Sequence, residues 1–137
     1  AYLRAHGFEH VILLGDSGGN QAGMKAVAET LSAKRAGGKT RIHYIPEYYD
    51  FQAVTTWLES QGIREVEEAL HDEVAMEAVI ATVDPMLIRM PQRIAKGRFS
   101  INGVALAPIE QTIALGKRIA DFRAERTVAA IRRATAK

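Results

Sequence analysis

His10-Val11-Ile12-Leu13-Leu14-Gly15-Asp16-Ser17-Gly18-Gly19-Asn20 opens on an apolar run, His10–Leu14, and closes on a glycine-rich turn. A short continuous apolar run stopped by glycine predicts a strand buried on both faces. A helical pattern follows from about Asn20 to Ala33, with Met24, Val27, Ala28 and Leu31 on one face. Gly37-Gly38 is expected to end that helix, and Arg41–Ile45 alternates as a second strand before Pro46. Strand, glycine turn, helix and strand compose a βαβ unit. The expected fold class is therefore α/β, a mainly parallel sheet with helices packed on it.

Working outward, Phe51–Ser60 reads as a helix closed by Gln61-Gly62, with Trp57 and Val54 on its apolar face. His71–Val83 is apolar nearly all round after a polar first turn, His71-Asp72-Glu73, so a buried helix is expected there. Acidic residues suit a helix N-terminus, and Asp84-Pro85 marks the end. Gly97–Leu106 reads as an irregular strand or loop, and a long helix runs from Pro108 onward. His10 and His43 fall on strands and read as structural.

The chain has 137 residues, 47% hydrophobic and 25% charged, which suits one packed domain and excludes disorder. It contains no cysteine, hence no disulfide, thiolate metal site or cysteine nucleophile. No apolar run approaches the roughly 18 residues of a membrane span, so no membrane partner is expected. The net charge is +2, with seven basic residues between Lys117 and Lys137. A single aromatic, Phe122, falls among them, short of the interleaved pattern of a nucleic-acid surface, so they read as a solvated helix face. The chain begins at Ala1 without methionine, which suggests the later part of a longer protein. Cytoplasm is the default compartment.

The hexapeptide Gly15–Asn20 admits several chemistries. GDSGG is the nucleophile pentapeptide of trypsin-like proteases, but their histidine and aspartate precede the serine and their fold is a β-barrel. Only sixteen residues precede Ser17, in an α/β setting, and that reading is rejected. Gly15-x-Ser17-x-Gly19 also fits the nucleophile elbow of α/β-hydrolases, with Asp50 and then His71 in the required order. A serine esterase built on Ser17 therefore stays open. So does a purely structural turn whose helix N-terminus binds an anion or nothing.

More of the chain enters through a resemblance. Gly7-Phe8 followed by an apolar strand and Gly15–Asn20 resembles the creatininase (creatinine amidohydrolase) family, where such a strand leads into NGHGGN. Gly18-Gly19-Asn20 match and Gly15-Asp16-Ser17 depart. Tyr48-Tyr49-Asp50-Phe51 is similar to that family's Tyr-Trp-Asp-Phe, and His71–Ala78 aligns on HAGExETS. Asp84-Pro85, Leu87 and Arg89 fall where the family has DPxLvR, and a C-terminal helix follows an AP segment. The resemblance implies one layered creatininase-like α/β domain spanning residues 1–137, short of its N-terminal portion. It further implies a metal-dependent hydrolase of a small amide or cyclic amide C–N bond, as a homo-oligomer.

It also implies a site. His71 and Glu73 are the expected catalytic residues, His71 passing a proton to the leaving nitrogen. Ser17, Gly18, Gly19, Asn20 and Tyr49 are expected to contact substrate. Asp16, Asp72 and Glu73 are candidate ligands for a divalent zinc, manganese or iron. Two departures bear on that metal: Ser17 stands where the family has a histidine ligand, and Val74 stands at the glutamate of HAGE. Serine is a poor ligand for these metals beside imidazole. A homologue that has lost its metals and catalysis is the third reading.

Overall fold

The computed structural model describes residues 2–33, 39–66 and 73–136, with only the backbone of Ala33. The chain divides into two compact units, one formed by residues 1–50 with 124–137 and the other by residues 51–123.

The first unit starts with a short helix α1 (Tyr2–Ala5), then β1 (His10–Leu13), α2 (Gly18–Ala33) and β2 (Arg41–Tyr44). β1 and β2 pair in parallel, with His10 opposite Arg41 and Leu13 opposite Tyr44. The parallel pairing with an intervening helix is the βαβ unit that the glycine turn led us to expect. Backbone bonds from Arg41 N–H to the Glu9 carbonyl (2.7 Å) and from Ile45 N–H to the Leu13 carbonyl (3.2 Å) extend the ladder at both ends. A 3-10 turn, Pro46–Tyr49, follows β2 directly. Across the strands, His10 Nδ1 and His43 Nε2 lie 2.9 Å apart, with the rings stacked.

The second unit holds α3 (Phe51–Ser60), α4 (Val74–Val83), α5 (Met90–Ala95), the two-residue strands β3 (Ser100–Ile101) and β4 (Val104–Ala105), and the start of α6 (Ile109–Thr135). Helix α6 is 27 residues long and its last part belongs to the first unit. β3 and β4 form a hairpin whose turn residues, Asn102 and Gly103, both have positive φ (48° and 82°). That is the backbone a tight two-residue hairpin needs, and Asn-Gly adopts it at little cost. The expected irregular strand at Gly97–Leu106 is this hairpin.

The core of the second unit lies on two sides of α4. Val74 and Ala81 pack with Ile88, Met90, Ile101 and Leu106. Ala75 and Ala78 pack with Val54, Leu58 and Ile119, and the half-buried Trp57 stacks on Phe122 at 5.2 Å. The helix is less enclosed than its composition suggested, since Val83 is 81% exposed. Its N-terminal cap also comes from an unexpected place. The Glu73 side chain makes no capping bond. Instead Glu65 Oε1 accepts from Val74 N–H and from Asn102 Nδ2, each at 3.0 Å, joining the helix start to the hairpin turn.

The layered, mainly parallel creatininase-like α/β fold does not form. Of the described residues, 62% are helical and 10% lie in strands, and the sheets among them are one parallel pair and one antiparallel pair. The physical reason lies after Pro46. A further parallel strand needs a crossover that returns the chain in the same direction. Among the described residues, the apolar segments after β2 are helical, and the remaining extended segment folds back on itself at Asn102-Gly103.

Helices α4 and α6 approach each other at Gly116. A β-carbon there would overlap the Ala78 carbonyl and come within 2.7 Å of Thr82 Cγ2. On an exposed helix, glycine to alanine would stabilise by about 1 kcal/mol. Gly116→Ala is expected to do the reverse, costing about 2–4 kcal/mol because the rigid backbone of α4 must move. Urea unfolding of the variant beside the parent protein checks the sign.

Candidate functional site

The turn between β1 and α2 sits at the C-terminal end of a parallel strand, where open α/β units bind ligands. Asp16, Ser17, Gly18, Gly19 and Asn20 are all exposed there. Gly18 is the first residue of the 16-residue α2, and the first turn of a helix has N–H groups without intrahelical acceptors.

The shape of the turn is imposed by a residue that sequence reasoning passed over. Gln21 Nε2 donates to the Gly15 carbonyl (2.9 Å) and to the Ser17 carbonyl (2.8 Å). Gln21 Oε1 in turn accepts from the Tyr44 hydroxyl at 2.8 Å. One amide therefore clamps both sides of the turn and ties it to the end of β2. The only signal in the sequence was a glutamine directly after Gly-Gly-Asn.

Tyr49, at the end of the 3-10 turn, reaches the same place. A β-carbon on Gly18 would lie 2.8 Å from the Tyr49 hydroxyl oxygen, so the phenol packs directly on the Gly18 backbone. Two ion pairs flank this aromatic. Arg126 Nη2 meets Asp50 Oδ2 at 2.6 Å, and Arg133 Nη2 meets Glu47 Oε1 at 3.0 Å. Both arginines belong to the C-terminal stretch of α6 that read as a solvated face. The pairs are half exposed, which limits each to about 0–1 kcal/mol.

The structure thus brings Asp16, Ser17, Gly18, Gly19, Asn20 and Tyr49 together in the first unit. Glu73 belongs to the second, where its carbonyl accepts from Met76 N–H and Glu77 N–H, both at 3.1 Å, at the start of α4. His71 and Asp72 lie outside the described residues. Among the described residues, no group of three or more His, Asp or Glu side chains could hold a metal ion. Asp16 and Glu73, the two described candidate ligands, do not by themselves compose a zinc, manganese or iron site. Among the described residues, no helix is long and apolar enough to cross a membrane.

Two features bear on Ser17 as a nucleophile. An elbow serine sits on a strained turn, yet the described non-glycine residues with positive φ are Arg89 and Asn102. Asp50, the acid that the elbow reading needs, is paired with Arg126. In comparisons with protein-family models, with curated proteins and with solved structures, nothing matches this chain.

Gly18→Ala must displace the Tyr49 hydroxyl, and the coupling is measurable in a double-mutant cycle. The cost of Gly18→Ala, about 1–2 kcal/mol in the parent, should fall by at least half in a Tyr49→Phe background. The histidine pair gives a pH dependence. Burial holds the His43 imidazole below its ordinary value, and the positive charges of His10 and Arg41 add to the effect. A hydrogen bond between two imidazoles also requires one neutral nitrogen as acceptor. A depressed value means that the unfolded chain binds the proton first. The stabilisation is therefore complete above about 6.5 and is lost as pH falls below it. Melting temperature should drop more steeply between pH 7 and pH 5 in the parent than in His43→Gln.

Proposed function

We propose that this chain belongs to a hydrolase of a small amide or cyclic amide C–N bond, with the Gly15–Asn20 turn and Tyr49 as its substrate-facing surface. The observation that carries the reading is the Tyr49 phenol lying on Gly18 at the exposed start of α2. A planar amide can lie against the phenol ring, and its carbonyl oxygen can accept from the N–H groups of the first helical turn. Gly19 carries no side chain to block that approach, and the Ser17 hydroxyl adds a donor. The resemblance in the His71-Asp72-Glu73 segment also implies His71 as the proton donor to the leaving nitrogen, a role that an imidazole can fill. It is also the basis for a divalent metal and for a homo-oligomer.

The lack of elbow strain at Ser17 and the engagement of Asp50 by Arg126 favour this reading over a serine esterase. The test is steady-state hydrolysis of a panel of small linear and cyclic amides by the native full-length protein. Ser17→Ala should lower kcat/KM by about tenfold or less, the loss of one positioning hydrogen bond. His71→Ala should lower kcat by about a hundredfold or more. A loss of about a thousandfold or more on Ser17→Ala would instead identify Ser17 as the nucleophile. No turnover of any amide in the panel would leave the non-catalytic homologue.

A further inference from the structure

The second unit carries a cleft of about 680 Å³, within the range of small-molecule sites. Its lining includes Arg89, Arg93, Lys96 and Arg98 on one side of the charge balance and Glu77 on the other, beside an exposed Leu87. Four cations against one carboxylate is a local excess of three, larger than the net charge of the whole chain, +2.

The backbone forces these cations together. Helix α5 ends in a Schellman motif: Arg98 N–H donates to the Arg93 carbonyl (2.8 Å) and Gly97 N–H to the Ile94 carbonyl (2.9 Å), with Gly97 at φ +64°. The two side chains that this motif brings near one another are commonly apolar. Here they are Arg93 and Arg98, two like charges that line the same cleft. Arg93 is pre-positioned, its Nε donating to the Ile88 carbonyl at 2.9 Å and one Nη lying 3.7 Å from Glu77. Arg89, four residues before Arg93, has left-handed backbone (φ 52°, ψ 40°), a conformation that costs a β-carbon-bearing residue energy. Among the described residues, Arg89, Lys96 and Arg98 have no ion-pair partner. Repulsion among neighbouring cations is relieved by an anion that several of them can share, and guanidinium forks match phosphate oxygens.

We propose that this cleft binds the phosphate end of a soluble phosphorylated small molecule, held between Arg89, Lys96 and Arg98 with Arg93 as the fixed floor. The cleft is concave and of small-ligand size, which favours a soluble ligand over a lipid surface.

The test is isothermal titration calorimetry of the full chain with inorganic phosphate and pyrophosphate, with flotation on vesicles containing phosphatidic acid in parallel. Saturable binding of pyrophosphate tighter than about 1 mM is expected at physiological salt. Arg98→Gln should weaken it about fivefold or more, and Arg89→Gly likewise. The glycine variant separates binding from folding, because glycine accepts the left-handed backbone and the variant should be at least as stable as the parent. Lys25→Gln, on α2 in the other unit, should leave the affinity unchanged. No saturable binding up to about 10 mM would overturn the proposal. So would variants that bind like the parent, or association with the acidic vesicles without binding of free pyrophosphate.

Discussion

Helix α6 lies against α4 because Gly116 has no side chain, and the arrangement of the second unit depends on that approach. A larger residue would meet the backbone of Ala78, which cannot rotate out of the way as a side chain can. With the helices this close, α4 presents Val74 and Ala81 to one apolar cluster and Ala75 and Ala78 to the other. Leu115, one residue before Gly116, packs against both. The Glu65 carboxylate then fixes where α4 begins, by accepting from its first N–H and from Asn102 at once. Small residues at the helix contact and a carboxylate drawn from outside the helix together do what a conventional N-cap and a larger core would otherwise do.

The same α6, continuing into the first unit, serves the candidate site. Arg126 engages Asp50, just past the turn that ends in Tyr49, and Arg133 engages Glu47 near its start. Individually such pairs contribute little stability. Their effect is directional: they hold the short Pro46–Tyr49 turn at both ends, and with it the phenol over Gly18. The glycine turn is held from its other side by Gln21 and Tyr44. The substrate-facing surface proposed above is thus shaped by side chains that would not touch substrate.

Much of the site could be read along the chain because it is local. The residues from Asp16 to Asn20 share one turn whatever surrounds it, and Tyr49 follows the strand that pairs with the first. The Gln21 clamp was not legible, since a glutamine in a helix pattern carries no mark of which carbonyls it will reach. The basic cleft was not legible either. Arg89, Arg93 and Lys96 fall near one another in the sequence, but nothing there distinguishes them from the longer basic stretch near the C-terminus. There two arginines are neutralised by acids more than seventy residues away in sequence, whereas the convergence near α5 requires the Schellman turn that brings Arg98 back.

What the sequence determined by itself was local and periodic: a strand before the glycine turn (half-buried, not enclosed on both faces as its composition suggested), an intervening helix and a parallel partner strand, and the helices at Phe51–Ser60 and after Pro108. Each follows from spacing of apolar residues and from turn chemistry within a few residues. Tertiary structure alone decided how far the sheet extends, which helices touch and which charges meet. Two four-residue strands satisfy each other's ladder without specifying a third. Whether a later extended segment joins them or closes on itself depends on the hairpin turn and on burial shared with distant helices. The turn is local to Asn102-Gly103, but the shared burial is an interaction between distant parts of the chain that no local pattern encodes.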